Sequence, residues 1–82
     1  MPAAFLMKQM EWRENLDEHA EDLLALEALM EEVEQSKQDT LTEIAQAIDG
    51  AHNYQRAAEL LRGLLFIDKF AVELDDAISD LV

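Results

Sequence analysis

The chain has 82 residues, half of them hydrophobic and 30% charged, with two Gly, one Pro and no Cys, which is the composition of one small ordered domain. Nineteen acidic against six basic side chains give a formal charge of −13, and that balance opposes binding to nucleic-acid phosphates or anionic lipid. Without cysteine the chain has no disulfide framework, no thiolate zinc site and no cluster ligated by its own sulfur.

No run approaches the ~18 uninterrupted apolar residues of a membrane span, and Met1 to Met7 show neither a basic leader nor a cleavage pattern. The expectation is a soluble, cytoplasmic protein with no cofactor. Breakers are few, and β-branched residues are scattered, so the chain reads as all-α. Pro2 suits the first turn of a helix, where its missing N–H costs nothing, and predicts a first helix from near Ala3 to about His19.

Asp22 is placed to cap a second helix. From there Leu26, Met30, Val33, Lys37, Thr40, Ile44 and Ala47 recur in alternating steps of four and three, with Leu23, Leu29, Leu41 and Ile48 widening the stripe. Thr40-Leu41-Thr42-Glu43 matches a capping box, yet the apolar phase continues through it, so one unbroken helix is expected. Gly50 reads as the C′ glycine that ends it, and Asn53 as the N-cap of a third helix.

In that third helix Leu60, Leu64, Ile67, Ala71, Leu74, Ile78 and Leu81 again step four, three, four, three. Gly63 sits inside it at a cost of about 1 kcal/mol relative to Ala, which predicts close approach of a neighbouring backbone. Two long antiparallel helices, with a shorter first helix laid over their seam, make a three-helix bundle.

Winding the first helix at about 100° per residue places Phe5, Trp12 and Leu16 within about 40° of one another, an ordinary core stripe. Leu6, Met10 and Met7 fall at roughly 100°, 140° and 200° from Phe5, on a face shared with Arg13, Asp17, Glu14 and Glu18. This second trio is either the edge of a wide core or an exposed patch kept for a partner. Unbranched, adaptable Leu and Met rimmed by charge suit a helix-packing surface. On the third helix Phe66 lies about 110° off the stripe centre and would extend the same patch.

Catalytic chemistry finds little to use. His19 and His52 are lone histidines, Asp49-x-x-His52 lacks further ligands, and no Gly-rich phosphate loop or nucleophile elbow occurs. The hydroxyl side chains are Ser36, Thr40, Thr42 and Ser79 alone, none beside a histidine in sequence, so the chain does not read as an enzyme. Glu31-Glu32-Val33-Glu34 is either a solvated helix face or a dock for a basic partner, and the first reading is the more economical. Lys37, in phase with the core, is expected to lay its stem along the apolar surface.

The run Ala4-Phe5-Leu6-Met7-Lys8-Gln9-Met10-Glu11-Trp12-Arg13-Glu14-Asn15-Leu16-Asp17-Glu18, followed about fifty positions later by Leu64-Leu65-Phe66-Ile67-Asp68-Lys69, resembles the C-terminal domain of the HscB family, J-protein co-chaperones of iron–sulfur cluster assembly. The resemblance spans nearly the whole chain, although the second helix shares only length and pattern. It implies a three-helix domain that binds the cluster scaffold protein IscU and presents it to the DnaK-type chaperone HscA. Residue by residue, it puts the scaffold contacts on Leu6, Met7, Met10, Glu11, Arg13, Glu14, Glu18 and Phe66. The family's J domain carries a His-Pro-Asp motif that does not occur here, so residues 1–82 are expected to form only the cargo-binding half, engaging the chaperone through the full-length protein. Met10 and Trp12 stand where the family more often has aliphatic residues. The competing expectation is a generic acidic interaction module that self-associates weakly through the same patch.

Overall fold

The two long helices each begin where a side chain supplies a missing hydrogen bond. The computed structural model describes residues 3–82, so the reading of Pro2 lies outside the described residues. Helix α1 spans Ala3–Glu18, α2 Leu23–Ala45 and α3 Tyr54–Ser79, with a wider π turn, Gln46–Gly50, continuing α2. Asp22 accepts from the Ala25 N–H at 3.2 Å and Asn53 from the Arg56 N–H at 3.1 Å, each satisfying one of the orphan donors of a first turn. The capping box inside α2 goes unused. Thr40 Oγ1 donates back to the Ser36 carbonyl at 2.8 Å and Thr42 Oγ1 to that of Gln38 at 3.1 Å, so both hydroxyls are absorbed by an unbroken helix.

The end of α2 differs from expectation. Gly50 has no positive φ; among the described residues that conformation falls on His52, at φ 50°. The π turn carries the helix through Gly50 and moves the chain reversal two residues on, where Asn53 N–H donates to the Ala47 carbonyl at 2.6 Å. Histidine tolerates the left-handed region better than most residues, and His52 is exposed there.

The helices run up, down, up, with α2 and α3 antiparallel and α1 alongside their open ends. Trp12, Leu16, Leu26, Leu29, Val33, Ile67, Phe70 and Leu74 form the buried cluster. Trp12 is its junction: the indole stacks on Phe70 with ring centroids 5.6 Å apart, and its N–H donates to Glu32 at 3.2 Å. One side chain of α1 thereby meets both other helices, and Glu32 of the acidic run has a bonding role. Lys37 Nζ lies 3.1 Å from Asp68; that hydrogen bond raises the lysine pKa, and the pair links α2 to α3 at the surface.

Gly63 is needed for a side chain, not the backbone expected from sequence: a Cβ there would lie 2.6 Å from the Phe5 ring. The Phe5–Gly63 contact also marks how far α1 reaches along α3. Beyond it, among the described residues, only α2 and α3 continue, and this explains a second departure. Leu41 and Ile48, expected to widen the core, remain 40% and 39% exposed, because no third helix covers their edge. The buried positions of that half are mostly small, with Ser36, Thr40, Ala47 and Ala57. The elongated shape, 44 × 20 × 15 Å, exposes 5455 Å², somewhat more than the roughly 5,000 Å² expected for a compact chain of this mass.

Candidate functional site

Burying Trp12 and Leu16 on α1 and Phe70 and Leu74 on α3 turns the next rows of both helices toward a shared groove. Because 100° per residue separates successive side chains, Leu6 and Met10 lie about 40° apart on α1, and Phe66 stands one turn before buried Phe70 on α3. The groove, about 580 Å³, is lined by Leu6, Met10, Arg13, Glu14 and Phe66, together with Gln9, Lys69, Phe70 and Glu73. Leu6 is 48% exposed, Met10 65% and Phe66 42%. Of the two readings of the second apolar face, the exposed patch is the one the structure contains.

Met7, Glu11 and Glu18 are exposed on α1 but do not line the groove. Met7 is about 60° further round the helix than Met10, and the two glutamates are further still. A partner large enough to wrap α1 would reach them; one confined to the groove would not.

Charge closes one end of the groove. Arg13 on α1 forms an ion pair with Glu73 on α3 at 2.5 Å, with both side chains partly exposed, and the guanidinium also lies 5.5 Å from the Phe70 ring centroid. The hydrogen bond from Arg13 holds the Glu73 carboxyl below its usual pKa; partial desolvation opposes it, and the charges of Arg13 and Lys69 reinforce it. Arg13 is thus a structural strap between two helices as well as a rim charge.

Four lining residues were not singled out for the site by sequence reasoning: Gln9, Lys69, Phe70 and Glu73. A pattern for three of them was present, since Phe66, Lys69, Phe70 and Glu73 are spaced i, i+3, i+4, i+7 on one face of α3. Among the described residues no three His, Asp or Glu side chains are arranged to hold a metal ion, and no helix is long and apolar enough to cross a membrane.

Comparisons with known proteins match nearly the whole chain. The family described as the HSCB C-terminal oligomerisation domain matches residues 1–75. A protein named Co-chaperone protein HscB homolog from Bordetella avium (strain 197N) is 45% identical over 74 residues, covering 90% of this chain and 44% of that protein. Its namesake from Azoarcus sp. (strain BH72) is 41% identical over 83 residues, covering 99% and 47%. No solved structure matches. The chain spans less than half the length of these relatives, and theirs is a co-chaperone family, not one of enzymes. The chain belongs to the HscB family, to which it corresponds through the C-terminal domain.

Proposed function

We propose that the groove between α1 and α3 is a cargo dock that binds an IscU-like iron–sulfur scaffold protein, for delivery by the full-length protein to an HscA-type chaperone. The observation that carries this reading is the convergence of Leu6 and Met10 on α1 with Phe66, 56 or more residues on in sequence, on one solvent-facing groove. Completing the burial of three side chains that are already about half covered contributes roughly 2–5 kcal/mol of gross transfer free energy, from about 1.5–3 per fully buried side chain. Lost rigid-body freedom and side-chain ordering cost a comparable amount. The net from these three side chains is small, so the complex is a reversible one, and a cargo that must be handed on requires such release. Met7, Glu11 and Glu18 contact the scaffold where it wraps α1, while Glu14 and the Arg13 rim set orientation and encounter rate more than affinity.

Titration calorimetry with the scaffold tests the reading. Leu6→Ala combined with Phe66→Ala weakens binding at least tenfold with helicity unchanged, since both side chains are substantially exposed; undiminished affinity would remove the groove as the dock.

Self-association is a second reading, favoured by the description of the matching family as an oligomerisation domain. A second copy seated in the groove would bury Phe66. Sedimentation over a range of concentrations separates the two: a monomer in the micromolar range supports the cargo dock, and a tight dimer abolished by Phe66→Ala supports self-association.

A further inference from the structure

Resting on the cargo-dock reading, we infer that Lys69 is the groove's charge-recognition residue and that the bound segment of the partner presents a carboxylate to it, about one helical turn from the apolar side chains it inserts between Met10 and Phe66. The inference starts from how the six basic side chains are used. Arg13, Lys37 and Arg56 pair with Glu73, Asp68 and Glu43, and Lys8 lies 5.8 Å from the centroid of the Trp12 ring. Among the described residues Arg62 and Lys69 have no ion pair, hydrogen bond or ring contact, and of these two only Lys69 lines the groove. In a chain with nineteen carboxylates, a lysine without one at hydrogen-bonding distance, beside an exposed phenylalanine, is a vacant half of a pair.

Local geometry keeps it vacant. The nearest acid on the same helix face is Glu73, four residues on, and Arg13 already holds that carboxylate; Lys69 acts on it only at a distance. The groove lining carries Arg13 and Lys69 against Glu14 and Glu73, so it is locally balanced on a molecule whose net charge is −13. An acidic, apolar segment is repelled by most of this surface and accepted here. That contrast supplies specificity, because wrong placements meet like charge.

Calorimetric titration with the purified scaffold protein, comparing the unaltered chain with four variants, tests the inference. Lys69→Glu is expected to weaken binding at least tenfold, Lys69→Arg to retain it within about threefold, and an acid-to-lysine reversal on the scaffold to restore binding to Lys69→Glu. Arg56→Glu makes the same change in net charge at the far N-terminus of α3; it gives up the exposed pair with Glu43 but lies outside the groove, and is expected to change affinity by less than twofold. Equal losses for Lys69→Glu and Arg56→Glu would reduce the effect to overall charge and overturn the inference, as would undiminished binding by Lys69→Glu. In either case a large loss for Leu6→Ala with Phe66→Ala leaves the dock itself standing. A scaffold that does not bind the unaltered chain overturns both.

Discussion

The two halves of this molecule use the same helices and obtain different surfaces from them. Where α1 lies across α2 and α3, large side chains meet in three directions, and Trp12, Leu26, Ile67 and Leu74 are almost wholly buried. Where α1 has not yet begun, two helices pack through Thr40, Ala47 and Ala57, and leave Leu41, Ile48, Tyr54 and Leu61 open. The lesson is that a third helix does two things at once. It completes a core, and its other edge creates a groove that two helices alone do not have.

The comparison breaks most visibly at Trp12. Trp12→Ala removes the stacking on Phe70 and the bond to Glu32 and is expected to cost about 3–5 kcal/mol, read from urea unfolding, with α1 undocked and scaffold binding lost with it. Next comes Gly63→Leu, which drives a side chain into the space held by the Phe5 ring. It is expected to cost about 1–3 kcal/mol, and hydrogen exchange would show the loss of protection concentrated in the first turns of α1. On the two-helix half, Ile48→Ala is expected to cost about 1–2 kcal/mol, because a substantial part of that side chain already meets water. A cost equal to that of Trp12→Ala would erase the distinction between the halves.

The smallest effect belongs to the strap across the groove. With the folded-state pKa of Glu73 depressed by Arg13, its contribution is present above the unfolded pKa and is lost as pH falls through the folded value. For a pair this exposed the contribution is about 0.2–1 kcal/mol. Glu73→Gln therefore lowers stability slightly at neutral pH and not at all once the carboxyl is protonated, which unfolding curves taken across the acid range would reveal.

Much of this was legible in the residues, and the reasons are local. Asp22 and Asn53 announce helix starts because capping needs only a side-chain oxygen and an amide three residues on. Phe66 announces itself because it breaks the four-three stepping of α3, and Leu6 and Met10 because one helix shows two apolar faces. Leu41 and Ile48 misled for the same reason: periodicity says which face of α2 turns inward but not where α1 stops covering it. Gly63 pointed to a close approach without saying whether backbone or ring would fill the space. Glu73 shared the i, i+3, i+4, i+7 face of Phe66, but its pairing with Arg13 was beyond sequence reasoning, since it joins residues 60 positions apart and depends on how two helices cross. Lys69 was visible as a residue and invisible as a vacancy, because that emerges only once the lining of the groove and the pairing of its other cation, Arg13, with Glu73 are known.

The central claim is that the groove made by α1 is where cargo binds. Amide chemical-shift mapping during titration with the scaffold protein tests it most directly. The account predicts perturbations concentrated on Leu6 to Glu14 and on Phe66 to Glu73; perturbations centred instead on Leu41, Ile48, Tyr54 and Leu61 would place the dock on the two-helix half and contradict it.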